Sequence, residues 1–230
     1  LLDFNNFAEK SIATKMASST DEVVGFLENL AVKSKAQGQQ DLNEVKEFAK
    51  TEFNETDLQA WDLPYYSEKL KQSRYAISDE ECRPYFPENK VVSGLFEVVN
   101  RLFGLQINEI ANIDTWHKDV KFFEVFDRDN NLRGRFYLDL YAREKKRGGA
   151  WMDDCVGRKK SGDTIQTPVA YLTCNFTPPT GNDPALLTHD EVQTLFHEFG
   201  HGLQHMLTQI DYLGVSGING VGAAWRSGFS

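Results

Sequence analysis

The chain has 230 residues, of which 40% are hydrophobic, and this is enough for one or two ordinary domains. Its net charge of −9 and its pI near 5.1 argue against nucleic acid or an anionic membrane surface as the main partner. No stretch forms the run of about 18 apolar residues that a membrane span needs. The three cysteines, Cys82, Cys155 and Cys174, show no CxxC pair and no metal-ligand spacing, so they predict free thiols in a reducing compartment such as the cytoplasm.

The first part of the chain, residues 1–112, is predicted to be a helical region because its apolar residues recur at helical spacing. Ser19 and Glu22 fit a capping box that starts one helix, and Pro64 lies in the first turn of another. The Gln-Gly-Gln-Gln run at 37–40 predicts a bend. We interpret the aromatic residues of this region as core, with a peptide-binding groove as the lesser alternative.

The pattern changes near residue 113, where a region of small sheet and one further helix, 113–221, is predicted to begin. The segments 120–126 and 135–141 are rich in aromatic, β-branched and alternating apolar residues, and the turn cluster 127–131 separates them. This combination predicts a β-hairpin. The basic run that follows, 143–147, is interpreted as a solvated turn.

A third strand is predicted at Val169–Phe176, where apolar side chains alternate between two faces. The pattern alone leaves two interpretations open. The strand is either an ordinary interior strand or one that borders a cleft and pairs with an extended peptide by strand addition. In the second case the substrate-binding residues would be Tyr171, Leu172, Thr173 and Cys174.

The last predicted element is a largely buried helix over about 188–208. Thr188 and Glu191 fit a capping box. The apolar residues of this segment are spaced to bury most of the helix, namely Leu195, Phe196, Phe199, Leu203 and Met206. Packing on such a helix would fix the rotamers of any side chains that bind a ligand.

This helix contains the pentapeptide H-E-x-x-H. A helix places residues four apart on one face, so His197 and His201 can offer two imidazole nitrogens to a single metal ion. Glu198 lies about 100° further round, where a carboxylate can take the proton of a hydrolytic water. A chance match is the alternative, but chance matches rarely fall inside a capped, apolar helix. His205, one turn beyond His201, is interpreted as a surface histidine rather than a further ligand.

Four blocks of the sequence resemble the thimet oligopeptidase family of zinc metallopeptidases. They are 137–144, 148–155, 168–176 and 195–203, and the resemblance extends from residue 1 to about 221. It implies a mainly α fold with a small β-sheet (α+β), namely the zincin-like catalytic region of a two-lobed helical oligopeptidase with a deep channel.

The same resemblance implies a function. It implies endopeptidase cleavage of short unfolded peptides, often in the cytoplasm, by a protein that is monomeric at full length. It further implies one Zn²⁺ bound by His197 and His201, with Glu198 as the general base. It also favours Val169–Phe176 as the strand at the edge of the cleft.

The sequence departs from the family after the helix. The family takes its third zinc ligand from a glutamate at a position that here falls near Arg226 and Ser227, and no Asp or Glu follows Asp211. An atypical tail, 222–230, replaces the expected segment, and the chain starts without Met. We therefore predict an internal fragment that contains no third metal ligand. It would represent either an oligopeptidase or a catalytically inactive helical protein that binds peptides or a partner.

Overall fold

The computed structural model describes residues 3–76, 79–181 and 183–220. The chain divides into two compact units, Leu1–Ser78 and Asp79–Ser230. The described part of the first unit is helical, and its helices are α1 (Phe7–Ile12), α2 (Thr20–Phe53) and α3 (Leu63–Tyr75). No helix in the described part of the chain combines the length and the apolar character that crossing a lipid bilayer requires.

Helix α2 begins where the capping signal predicted it, because Ser19 Oγ accepts a hydrogen bond of 3.1 Å from the Glu22 N–H. The bend predicted at 37–40 is wrong, since α2 continues through this run without a break. Side-chain hydrogen bonds one turn apart bridge it, from Gln37 to Asp41 at 2.7 Å and from Gln39 to Asn43 at 3.0 Å.

The described part of the second unit contains two sheets and three α-helices. The helices are α4 (Asp79–Cys82), α5 (Glu88–Phe103) and α6 (His189–Met206), and the strands are β1 (Gln106–Glu109), β2 (Lys121–Phe126), β3 (Leu132–Tyr141), β4 (Trp151–Val156), β5 (Lys159–Ser161), β6 (Thr164–Gln166) and β7 (Val169–Phe176). This unit begins earlier than the predicted boundary at 113, because Val91, Leu95 and Val99 of α5 are buried in the core of the sheet.

The main sheet has the order β1-β2-β3-β7-β4, while β5 and β6 form a separate two-stranded sheet. The predicted hairpin is confirmed as the antiparallel pair β2–β3. Strand β7 runs parallel to β3 and antiparallel to β4. The mainly helical α+β fold class is therefore confirmed.

The position predicted for β7 at the edge of a cleft is wrong. β7 pairs with β3 on one side and with β4 on the other, so its backbone hydrogen bonds are used within the sheet. Its proposed substrate-binding residues, Tyr171, Leu172, Thr173 and Cys174, lie in an interior strand. Among the described residues, β4 is the strand that ends the sheet on this side.

The core lies between one face of the sheet and the helices α5 and α6. Phe123 and Phe136 stack on the sheet with ring centroids 4.9 Å apart, and Phe199 of α6 meets Phe136 at 5.4 Å. The alternation of β7 places Leu172 and Cys174 in this core. Aromatic burial of this kind fixes α6 against the sheet.

Candidate metal centre

The helix that carries the H-E-x-x-H motif begins with both hydrogen bonds of a capping box. Thr188 Oγ1 accepts from the Glu191 N–H at 3.1 Å, and the Glu191 carboxylate accepts from the Thr188 N–H at 2.8 Å. Leu195, Phe199 and Met206 are fully buried on its inner face. The predicted helix is thus confirmed and most of its apolar residues are buried, but Phe196, which was predicted to be buried, is 37% exposed.

The two histidines of the motif point to one place. His197 Nε2 and His201 Nε2 are 3.0 Å apart, and the ring centroids are separated by 4.6 Å. A tetrahedral zinc ion with two bonds of about 2.0–2.1 Å separates its nitrogen ligands by about 3.3 Å. The observed spacing is close to this value, so the two imidazoles fit two positions of a zinc coordination sphere.

Electrostatics also suit metal binding at these rings. Burial lowers the pKa of His201, and the neighbouring His197 lowers it further. A lowered pKa favours the neutral imidazole, which is the form that binds a metal.

Glu198 lies next to the histidines and is only 8% exposed. Burial raises the pKa of its carboxyl group, although the charge of His197 and a hydrogen bond from the Met152 N–H act in the opposite direction. A carboxylate with a raised pKa is a better proton acceptor.

Burial, followed by the charge of Glu198, raises the pKa of Cys174 to about 12, so this thiol stays protonated.

The described residues hold no group of three His, Cys, Asp or Glu side chains arranged to bind a metal. Asp211, the last carboxylate in the sequence, forms an ion pair with Arg158 at 2.8 Å. Arg226, Ser227 and the tail 222–230 lie outside the described residues. Of the residues predicted to bind a metal, the structure brings together the side chains of His197 and His201.

His205 is not the surface histidine that we predicted, because its side chain is completely buried. Its Nε2 lies 3.0 Å from the carbonyl oxygen of Val156 at the end of β4, and its Nδ1 accepts from the Ile218 N–H at 3.5 Å. It thereby connects α6 to the edge strand instead of binding the metal. Helical spacing contained this signal, since Glu198, Gly202 and His205 all lie on the buried face.

A cavity of about 860 Å³ opens beside the motif. Its lining comes from the start of the edge strand and from one side of α6, namely Ala150, Val192, Gln193, Thr194, Phe196, His197 and Glu198. Strand β4 borders this space because its Met152 N–H reaches Glu198. The block 148–155 had carried part of the family resemblance, but its alternation is too weak to predict a strand.

Two imidazoles and an adjacent carboxylate thus lie together on one largely buried helix with the H-E-x-x-H pattern, next to the edge of a small sheet. Residues 1–221 match a family model described as Peptidase family M3. The chain belongs to this family, and the resemblance to the thimet oligopeptidases is thereby confirmed.

Curated relatives support the same assignment. The chain is 61% identical over 222 residues to "Oligopeptidase A" of Haemophilus influenzae and of Escherichia coli, in both cases covering 96% of this chain and 33% of the relative. It is 44% identical to "Organellar oligopeptidase A, chloroplastic/mitochondrial" of Arabidopsis thaliana, covering 96% of this chain and 29% of the relative. The chain thus spans about a third of the length of these relatives.

Proposed function

We propose that this chain carries the zinc-binding part of a metallopeptidase that hydrolyses short, unfolded oligopeptides. The observation that carries the proposal is the 3.0 Å separation of His197 Nε2 and His201 Nε2 beside the buried Glu198. The names of the relatives, all oligopeptidases A, support peptides as the substrate class. His197 and His201 would hold one Zn²⁺.

Bound zinc would supply polarisation of the peptide carbonyl and a lower pKa for the attacking water. Glu198 acts as the general base, because its carboxylate is adjacent to the two imidazoles and its raised pKa suits proton uptake. The Met152 N–H and the surrounding core hold that carboxylate in place. The neutral state favoured at His201 keeps its nitrogen lone pair available.

The substrate peptide pairs with the outer edge of β4, which has no partner strand among the described residues. In an antiparallel pair, residues alternate between directing their backbone groups at the partner strand and away from it. β4 ends the sheet order β1-β2-β3-β7-β4 among the described residues, and the Met152 backbone on this strand interacts with the Glu198 carboxylate. A peptide added at this edge would run directly past the general base.

We propose further that the protein acts in the cytoplasm and is a monomer at full length. Cys82, Cys155 and Cys174 are free thiols, as a reducing compartment requires. The net charge of −9 supports peptides over nucleic acid or anionic membranes as partners.

A second candidate is a catalytically inactive peptide-binding or partner-binding fragment. The observation in its favour is that the sequence has no Asp or Glu after Asp211, which is itself paired with Arg158. Zinc sites normally need three protein ligands. On this ground we expect the 230-residue chain to bind zinc weakly and to show little or no peptidase activity.

The test compares this chain with a version extended through the glutamate that the family uses as its third ligand. Zinc affinity is measured by calorimetry, and activity by cleavage of a quenched fluorescent peptide. In the extended version, Glu198→Gln should reduce the rate by several powers of ten and leave zinc affinity nearly unchanged, whereas His197→Ala should weaken zinc binding strongly. Absence of turnover by the extended version would favour the inactive binding protein. Robust turnover by the short chain would show that another carboxylate completes the site.

A further inference from the structure

The second unit contains a further cavity, on the face of the main sheet opposite α6. The residues His197, Glu198 and His201 do not line it. Its volume is about 380 Å³. Tyr171 and Thr173 belong to its lining, and they alternate along β7 with Leu172 and Cys174, which face the core. We call this space the aromatic cavity, and the lining residues that matter most are Trp116, Asp139, Arg147, Trp151, Tyr171 and Thr173.

Rows of directly paired residues form the floor of the aromatic cavity. Asp139, Thr173 and Trp151 are neighbours across β3, β7 and β4. The next row adds Tyr171 and Asp153 to the floor and continues outside the cavity to Tyr137. Both rows end at β4, which is the edge strand among the described residues. The floor therefore stops at the same edge at which the substrate peptide is proposed to pair.

We propose that the aromatic cavity binds an aromatic side chain of the peptide substrate. This inference rests on the proposed function, because it requires the peptide to pair with β4. A strand added about 4.8 Å beyond β4 continues each row by one residue on the same face. The peptide residue opposite Trp151 thus directs its side chain to the aromatic cavity. The following residue, opposite Met152, directs its side chain towards α6 and Glu198.

The chemistry of the aromatic cavity suits a ring. Trp116 is 49% exposed, and its ring centroid is 5.5 Å from that of Tyr171. The Arg147 guanidinium lies 5.6 Å from the centroid of the Trp151 ring. The carboxylate of Asp139 is already neutralised by Arg143 and Lys146. The exposed surface that remains is rich in aromatic faces, on which a further ring can stack.

The experiment measures the binding of capped pentapeptides that consist of Thr and Ala apart from one variable residue. Only the side chain of this residue can then determine which peptide residue lies opposite Trp151. The variable residue is phenylalanine, cyclohexylalanine or alanine, and affinities are measured by calorimetry. Aromatic contacts predict that phenylalanine binds about two- to tenfold more tightly than cyclohexylalanine, which has a similar size. Trp151→Leu should abolish this preference. Trp61→Leu, at a 77% exposed position in the first unit, should retain it.

A second measurement uses the unmutated sequence labelled with 5-fluorotryptophan. Addition of the phenylalanine peptide should shift the ¹⁹F resonances of Trp116 and Trp151 and leave that of Trp61 unchanged. Equal binding of phenylalanine and cyclohexylalanine, or a preference that survives Trp151→Leu, would overturn the aromatic cavity as a binding site.

A backbone N-methylated peptide separates this inference from the proposed function. If N-methylation abolishes binding but phenylalanine shows no preference, strand pairing stands and the aromatic-cavity proposal fails. If N-methylation has no effect, or if no peptide binds, strand pairing at β4 fails, and the present inference fails with it.

Discussion

Replacing Lys146 with methionine removes a buried cation from the ends of two parallel strands, β3 and β7. The Lys146 side chain is 4% exposed, and its Nζ donates to Asp139 Oδ1 at 2.8 Å. It also donates to the carbonyl oxygens of Asp139 at 3.0 Å, Tyr141 at 2.8 Å and Cys174 at 2.5 Å. The three N–H donors of one ammonium group are thus shared among four acceptors at the point where the register between β3 and β7 shifts.

The expected loss of stability follows from these contacts. Removing one partner from a buried ion pair costs about 3–5 kcal/mol. Asp139 keeps a bidentate pair with Arg143, at 2.7 and 2.9 Å, so its charge is not left alone. Methionine also occupies most of the lysine volume. We therefore expect a loss of about 3 kcal/mol, which for a unit of this size lowers Tm by about 6–12 °C.

The assay is urea unfolding monitored by tryptophan fluorescence, because Trp116 and Trp151 lie in the second unit and report on its unfolding. The adjacent Lys145 supplies the control, since its side chain is 88% exposed. Lys145→Met should change the free energy of unfolding by no more than about 0.5 kcal/mol. If the free energies of unfolding of the two variants lie within about 1 kcal/mol of each other, the reasoning about Lys146 is refuted.

The same ion pair predicts a dependence on pH. Burial raises the pKa of Asp139, but hydrogen bonds from Arg143, Lys146 and Trp116 outweigh this effect and lower it from 3.8 to about 2. Because the folded pKa is below the unfolded one, the stabilisation is complete above pH 3.8 and is lost as the pH falls towards 2. The stability difference between wild type and Lys146→Met should therefore shrink over this range. A difference that stays constant would contradict the assignment.

Two further predictions concern the junction between α6 and the end of β4. Gly217 has a φ of +55°, and a Cβ there would lie 2.5 Å from His205 Nδ1, so Gly217→Ala should cost about 1–3 kcal/mol in thermal unfolding. Gly214→Ala, where nothing lies within 4 Å, is its control, and equal Tm values would refute the clash. His205→Ala should cost about 2–4 kcal/mol, because it leaves a cavity and removes the hydrogen bonds that connect α6 to Val156 and Ile218. The exposed His189→Ala should cost little, and a comparable loss there would contradict the role of His205.

The helix of the candidate site could be predicted from the sequence because its signals are local. A capping box at Thr188, an apolar face and two histidines four residues apart all lie within one continuous segment. Each signal depends only on helical geometry, so no distant contact was needed to place His197 and His201 on the same face.

The edge of the sheet could not be predicted in the same way, because strand order depends on pairing between distant segments. β4 has the sequence Trp-Met-Asp-Asp-Cys-Val, with adjacent charges and little alternation, and it was not predicted as a strand. The prediction of β7 at the edge rests on its position before the H-E-x-x-H helix and on the family resemblance, and neither indicates that β4 pairs with its outer side. The partly exposed residues of β4 are what an edge strand next to a cavity shows.

The basic run 143–147 illustrates a second limit of sequence analysis. Lys145 and Lys146 are adjacent and chemically identical, yet one is exposed and the other is buried against Asp139. Composition indicates a solvated turn for such a run. Only the arrangement of the carbonyl groups at the ends of β3 and β7 decides which lysine is enclosed.

The connection between β3 and β7 explains how the outer edge of β4 comes to lie beside Glu198. Parallel strands cannot be joined by a tight turn, so the chain must cross over between them. In this protein the crossover contains β4, which turns back to pair antiparallel with the outer side of β7. The residues that follow β7 then lead into α6, which contacts both β7 and β4. The crossover that completes the parallel pair therefore also brings the Met152 backbone to Glu198, and the outer edge of β4 beside it has no partner strand in the part of the chain that the structure describes.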